Sequence, residues 1–580
     1  LAGHVPVELF GGGRFPVVTA RPYPLSFGPH THLWFRFDAP TPQRRARPQL
    51  AVAGAWTAIV SHRRALAAAL AEYAAERPWF RGDGRTRVGV ELVDAAPLAT
   101  ADARLIALIV DVRFSEGEAE RYLSVVGFAH GTAAAEVAHR HPGAIISDLV
   151  VTGADDSTGV LYDALDTGEA ATALLAGVAA DARFAGERGR LVCAATGAVA
   201  RDELGVGLPP RPLDGDRAAA SVRFGDRVVV KTFRQLEPGI NAEVELGLHL
   251  AAHPSTHAPA ILGTVSYARD GGDPAAVAVV QVCVAAQATA RELVLGELEV
   301  ALDALLSRPA LVPPPAAGHV VDAAVEVPPP TVTEPFGRLL AIARAAGERV
   351  ADVHLALADS EDVALRPEPF TPMHQQSMFQ SARAMAMRTI DRLAVLIPTL
   401  PSDAVVAVAT LRARQDSLER RLRAVQARPL TAVRLRAHGD LHLGHLLHAG
   451  GELVVVDLAG EPARPLSARR YKRSPLRDVA TLLRSLGEVA SAAGATGRVR
   501  PLDQAAVAPW SAAAAAWMQA ALLGAYAARA SSLVPARPAD RRTLLDFYAL
   551  ELALAELWTA SIRDPARVPA ALTALLALLE

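Results

Sequence analysis

Two runs of three prolines, Pro313-Pro314-Pro315 and Pro328-Pro329-Pro330, split this chain into halves of different character. Proline fixes φ and carries no backbone N–H, so residues 309–335 are not expected to form a regular core element. Ahead of them, apolar residues come in short runs broken by turns, the pattern of strands. Beyond them, apolar residues recur every three or four positions over 336–357, 376–396 and 404–427, which predicts long amphipathic helices. The expectation is an α+β chain with a strand-rich front and a mainly helical back.

The front divides further. Residues 1–38 hold short strand-like runs, the last being Leu33-Trp34-Phe35-Arg36-Phe37, too few to stand alone as a domain. Residues 39–48 contain three prolines and no apolar period, as an exposed linker does. Residues 49–200 read as a second unit, with a helix over 63–75 and strands over 105–112 and 122–129. Residues 201–286 read as a small lobe, with strands over 219–224, 228–233 and 276–284 and one helix over 242–252. Residues 287–335 connect it to the helical unit, 336–580.

Bulk composition argues against several functions. Lys and Arg total 59 against 61 Asp and Glu, a net charge of −2 that gives no field for holding nucleic acid or an anionic membrane surface. The two cysteines, Cys193 and Cys283, lie in apolar runs and make no disulfide framework, so a reducing cytoplasm is the expected compartment. Residues 510–528 carry no charge over a span long enough to ask about a membrane. Alanine gains little on transfer to lipid, however, and a packed core helix is expected. The first residue, Leu1, suits a fragment or a processed chain.

One strand–loop–strand segment interrupts the helical half. It runs Arg436-Ala437-His438-Gly439-Asp440-Leu441-His442-Leu443-Gly444-His445 and then Leu453-Val454-Val455-Val456-Asp457. A loop aspartate followed seventeen positions later by an aspartate that ends an apolar strand can put two carboxylates in one cleft. Phosphoryl transfer asks for one carboxylate to orient the attacking hydroxyl and another to hold Mg²⁺ against the phosphates. Asp440 suits the first role and Asp457 the second. Taken alone, Asp440 reads equally as a turn aspartate capping backbone amides. The small lobe adds Lys231 at the end of an apolar strand and Glu245 in the following helix. These suit either a phosphate-orienting pair or an ordinary surface ion pair.

The motifs Gly439-Asp440-Leu441-His442-Leu443-Gly444, Gly460-Glu461-Pro462-Ala463-Arg464-Pro465-Leu466 and Arg469-Arg470-Tyr471-Lys472-Arg473-Ser474-Pro475-Leu476-Arg477-Asp478 resemble those of bacterial maltokinases. So do residues 224–231, Leu236-Glu237-Pro238-Gly239 and, in an amino-terminal cap, Arg77-Pro78-Trp79-Phe80. The resemblance implies the bilobal fold of eukaryotic protein kinases and aminoglycoside phosphotransferases, with a cap subdomain ahead of the small lobe. It implies transfer of phosphate from ATP, with Mg²⁺, to maltose. Asp440 would be the base, Asp457 the Mg²⁺ ligand, Lys231 and Glu245 the phosphate-orienting pair, and Asp478 the residue that holds the catalytic loop by its backbone. Ser221 falls in the phosphate-covering hairpin, and Gln281 to Val284 at the hinge that meets adenine. His438, His442, Glu461, Arg464, Arg469 and Lys472 are expected around the substrate or in support of the loop. From sequence alone Arg469, Arg470 and Lys472 read equally as a solvated basic loop.

Residues 1–37 resemble the last strands of trehalose synthases, in Pro6-Val7-Glu8-Leu9-Phe10-Gly11-Gly12 and Trp34-Phe35. Such synthases interconvert trehalose and maltose and are fused to maltokinases in some bacteria. The resemblance therefore implies maltose as acceptor and a trehalose synthase as fused or associated partner.

The chain departs from the maltokinase pattern at several places. The hairpin reads Ala218-Ala219-Ala220-Ser221, Ala459 replaces a common glutamate, residues 288–292 lack an aspartate and a tryptophan, and Leu552 stands for a lysine beside Glu551. His445 replaces an amide that faces the metal site. It is expected either to face that site, where imidazole serves Mg²⁺ poorly, or to pack under the loop. Three functions compete: phosphorylation of maltose, phosphorylation of another sugar such as glucosamine, and sugar binding or scaffolding with little turnover.

Overall fold

The computed structural model describes residues 4–9, 15–16, 18, 25, 32–38, 47–80, 82, 85–99, 104–153, 156–213, 219–253, 258–308, 311–314, 318–494 and 499–580. At the amino end Val5–Glu8 pairs antiparallel with Phe35–Asp38 in a two-stranded sheet of its own. Most of the expected linker, residues 39–46, lies outside the described residues, as does Ala218 of the hairpin.

The cap is built on a six-stranded sheet in the order Gln49–Ala53, Ile145–Thr152, Ser157–Asp163, Glu120–His130, Arg104–Phe114, Arg87–Ala99. Side chains alternate across a strand. Ile106, Leu108 and Val110 pack under the helix Arg63–Ala75, against Leu66, Leu70 and Tyr73. Leu105, Ala107 and Ile109 turn to the opposite face and share a core with the small lobe. Burial on both faces is why residues 105–110 read as an unbroken apolar run.

The small lobe is a seven-stranded antiparallel sheet in the order Pro210–Leu213, Ala219–Phe224, Val228–Phe233, Ala275–Val282, Ile261–Arg269, Gly189–Ala195, Arg183–Ala185. The last two strands precede residue 200, so this sheet draws on a segment that the sequence gives to the cap. The chain leaves the sheet at Val282 and enters the helical lobe at Ala288–Thr289, which pairs with Leu446–Ala449.

The helical lobe closes around helices Pro330–Ala358 and Gln504–Arg529. They lie so close that a Cβ at Gly347 would come within 2.3 Å of the Leu522 carbonyl oxygen. Among the described residues, Gln504–Arg529 is long and apolar enough to cross a membrane by length and composition; here Trp510, Trp517, Met518, Leu522 and Tyr526 are buried in the lobe core. Several helix boundaries differ from expectation, among them the start expected at 376, which lies at Pro372. The helix expected from 336 starts at Pro330, because proline in the first turn gives up an N–H that has no partner there. The segment expected as one helix over 404–427 is broken at Arg414 into Ser402–Ala413 and Gln415–Arg423. The apolar stripe continues through Leu411, Leu418 and Leu422, so periodicity carries no sign of the break.

Candidate active site

The strand Val228–Phe233 is buried along most of its length and delivers Lys231 to the cleft between the lobes. There the Lys231 ammonium meets the Asp457 carboxylate and lies 3.1 Å from Glu243 Oε2. Glu243, not Glu245, is thus the helix glutamate beside the lysine. Helix Ala242–Ala251 starts at an Asn241 cap whose Oδ1 accepts from Glu243 N at 2.9 Å and Val244 N at 3.3 Å. Its buried stripe runs Glu243, Leu246, Gly247, Leu250, and Glu245 falls off it. Glu245 instead receives Arg436 and, at 2.6 Å, Arg470 Nη2. Two further expected residues belong to this side of the cleft. Ser221 stands opposite Lys231 in register and so shares its face of the sheet. Gln281 is the next-to-last residue of the strand Ala275–Val282, and Cys283 N donates to Arg227 O at 2.8 Å just before Val284, so this stretch is the connection between lobes.

Asp457 follows the strand Glu452–Val455 with φ +67°, a left-handed conformation that aspartate tolerates better than most residues. Burial opposes its charge, but Lys231 and His445 outweigh burial and hold the carboxyl well below the usual carboxylate range. Asp440 differs: among the described residues no hydrogen bond reaches its carboxylate. Burial pushes it up to about 7, against the pull of His445. The site therefore holds one aspartate fixed as an anion and one poised to take a proton near neutrality.

The loop carrying Asp440 is held from behind. Asp478, fully buried, accepts from His438 N at 2.8 Å and Gly439 N at 2.9 Å, and faces His354 Nε2 at 3.2 Å. Burial would raise its carboxyl, and His354 and the neighbouring charges keep it below its ordinary value. His438 Nε2 donates to Val456 O at 2.9 Å while its Nδ1 accepts from Asp440 N at 3.3 Å, tying the Asp440 loop to the strand before Asp457. Burial brings His438 down to about 4, which keeps it neutral. Arg477 Nη1 donates to Gly439 O at 2.9 Å, and Arg464 and Arg477 share Glu461 and Glu551 in a closed ring of ion pairs. Arg469 reaches Glu237, and the Lys472 ammonium is spent on Val363 O, Arg366 O and Glu368. Both side chains support loops here. Arg477 and Glu237 lie inside the maltokinase-like motifs and Glu551 beside Leu552, whereas Glu243 lies outside every motif.

His445 turns into the site. Its Nδ1 donates to Asp440 O at 2.8 Å and its Nε2 faces Asp457 Oδ2 at 3.1 Å. Both partners are acceptors, so both ring nitrogens donate and the ring carries charge; burial opposes this, and the Asp457 bond and charge outweigh burial to raise its pKa. Ligand atoms of Asp440, His442 and His445 lie within 4.8 Å of one another, a number and type suited to a soft cation. The lone pairs are not free, however: His442 Nδ1 accepts from Gly444 N at 3.0 Å, and His445 has none to offer. His445 therefore leaves the metal-ligand set. The carboxylate oxygens of Asp457 and Asp440 are the hard donors that fit Mg²⁺.

Comparison with known proteins agrees with this architecture. Residues 73–166 match the maltokinase N-terminal cap domain. A glucosamine kinase of Mycolicibacterium smegmatis is 32% identical over 146 residues, which is 25% of this chain and 32% of that protein, so the match spans about a third of the relative. A solved glucosamine kinase in complex with glucosamine, ADP and inorganic phosphate covers 88% of this chain and 98% of its own, with a TM-score of 0.51 at 20% identity. A second crystal form of a glucosamine kinase gives a TM-score of 0.53, also at 20% identity, over 85% of this chain and 94% of that one. The chain has the capped, bilobal kinase-like fold of these sugar kinases.

Proposed function

We propose that this chain is a sugar kinase that moves the terminal phosphoryl group of ATP to a sugar hydroxyl. The observation that carries the reading is the half-buried Asp440 carboxylate, which no hydrogen bond reaches among the described residues, beside the Lys231–Asp457 pair. Asp440 takes the proton of the attacking hydroxyl, and its raised pKa matches that task near neutral pH. Lys231, steadied by Glu243, receives phosphate oxygens. Asp457 would hold Mg²⁺, which when bound neutralises charge on the phosphates. Asp478 and Arg477 keep the loop shaped so that Asp440 stays in reach.

For the acceptor we infer maltose, phosphorylated at its anomeric hydroxyl. The maltokinase-like motifs of residues 439–478, the cap match and the trehalose-synthase-like residues 1–37 support it, and the last of these also suggests a synthase partner. Glucosamine is the second reading, favoured by the glucosamine kinase matches. We place the chain in the cytoplasm, a compartment that suits two unpaired, buried cysteines. The test compares kcat/KM for maltose, glucosamine, glucose and trehalose with Mg·ATP. Maltose should lead; a clear preference for glucosamine establishes the second reading, and no turnover with any sugar would favour a binding role.

A further inference from the structure

The strand that carries Lys231 does not end with its sheet. Past Phe233 the chain runs on into the cap. Leu123 N donates to Arg234 O at 2.8 Å, Leu236 N donates to Arg121 O at 2.8 Å, and Tyr122 and Gln235 form an antiparallel bridge between them. Side chains alternate along an extended segment, so its two faces look into different bodies. Lys231, Phe233, Gln235 and Glu237 line the pocket that also contains Asp457 and Gly460. Arg234 and Leu236 turn the other way and are each 2% exposed.

The grip on that second face is ionic, with Arg234 and Asp163 buried and Asp166 at its edge. The Arg234 guanidinium meets Asp163 and Asp166 of the cap and lies 4.8 Å over the Trp79 ring. The Tyr73 hydroxyl donates to Asp166 at 3.0 Å and lies 3.3 Å from Asp163. Leaving one of these charges alone in the interior is strongly unfavourable, so the segment cannot slide on the cap. A one-residue slip would also exchange its two faces. At the far end Glu237 accepts from Leu466 N at 2.8 Å and from Arg469 Nη2 at 2.7 Å, both in the helical lobe.

We propose that the cap is a positioning domain for the phosphate-binding lysine: by holding Arg234 and Leu236 it sets where Lys231, Gln235 and Glu237 stand against Asp457 and the helical lobe. The proposal rests on the kinase reading of the site. Arg234 touches no reacting group and acts through the strand it belongs to.

The test uses the full chain and Mg·ATP affinity by calorimetry, with amide hydrogen exchange of residues 228–233 as a second readout, both well below the melting temperature. Asp166→Asn and Arg234→Lys loosen the grip without altering the pocket. Ile59→Val lowers cap stability at a core position away from the segment. Asp166→Asn should weaken Mg·ATP binding about tenfold, since small misplacements of a positioned group are costly, and should speed exchange at 228–233. Asp166→Glu should restore most of the affinity, and Ile59→Val should lose melting temperature alone. Should Arg234→Lys not fold, Asp166→Asn decides, because that carboxylate is 33% exposed. Wild-type affinity in a folded Asp166→Asn, or equal weakening by Ile59→Val, overturns the proposal. Failure of the wild type to bind Mg·ATP would overturn the kinase reading beneath it.

Discussion

Replacing Asp478 by asparagine should uncouple the base loop from the rest of the site. The two carboxylate oxygens each serve a different backbone donor, Oδ2 the His438 N–H and Oδ1 the Gly439 N–H. An amide keeps one oxygen and presents its own N–H₂ to the other donor. Leaving one buried N–H unpaired costs about 1–3 kcal/mol, and losing the charge on the remaining bonds roughly another 1 kcal/mol. A total of about 3 kcal/mol corresponds to about 10²-fold in the population of the correctly shaped loop. We therefore expect kcat to fall about 10²-fold while Mg·ATP affinity changes less than about twofold, because the loop orients the acceptor hydroxyl and not the nucleotide. Amide exchange at His438 and Gly439 should accelerate in the variant. The folded pKa of Asp478 is depressed, so its contribution is present above the ordinary aspartate value of about 3.9 and is lost as pH falls through the lower folded value. Wild-type loop protection should thus decline only at acid pH, and the variant should lack that step. A variant with more than half the wild-type kcat and unchanged exchange would refute the reasoning.

Glu243→Gln should raise the dissociation constant for Mg·ATP about tenfold, as expected from removing a charged partner of a buried lysine, while Glu245→Gln should leave it near the wild-type value; the reverse order would return the lysine pair to Glu245. With burial holding Asp440 at about 7 in the free protein, kcat/KM should rise with pH through that value as the base deprotonates, and a limb centred near 4 would mean that Asp440 is not the base. His445→Gln removes a cation that lowers Asp440, so the acid limb should move to higher pH. The same change frees Asp457 Oδ2, and the Mg²⁺ needed for half-saturation should fall about tenfold, the scale of one charged hydrogen bond. An unchanged Mg²⁺ titration together with an unchanged pH profile would leave His445 a packing residue.

Much of the fold was legible because local pattern and tertiary burial agree there. The helix over 63–75 and the strands over 219–224 and 228–233 fall where the apolar period puts them, and the structure reproduces those bounds. The assignment of the lysine partner failed for a physical reason that the sequence also contained: spacing from Lys231 does not distinguish Glu243 from Glu245, but the stripe through Leu246, Gly247 and Leu250 does. Other features had no local signal. Strand Gly189–Ala195, with Arg183–Ala185 on its outer edge, joins the small-lobe sheet through long-range pairing with Ile261–Arg269, which no window of sequence reveals. The charge on His445 depends on two acceptors, at 440 and 457, meeting its ring from opposite sides. Likewise, the run Arg234-Gln235-Leu236 looks like a loop after a strand, and only the cap edge at Arg121 to Leu123 makes it a shared element.

The central claim is that the chain moves a phosphoryl group from ATP to a sugar, with Asp440 as the base that takes the proton of the attacking hydroxyl. It is tested most directly by ³¹P NMR of mixtures containing the chain, Mg·ATP and maltose or glucosamine, run beside Asp440→Asn. The account predicts a sugar-dependent phosphate-ester resonance growing in step with ADP in the wild type. In the variant that rate should drop by about 10²–10⁴-fold, the contribution of a positioned base. Release of inorganic phosphate with no ester from any sugar, or an ester formed equally fast by the variant, would contradict it.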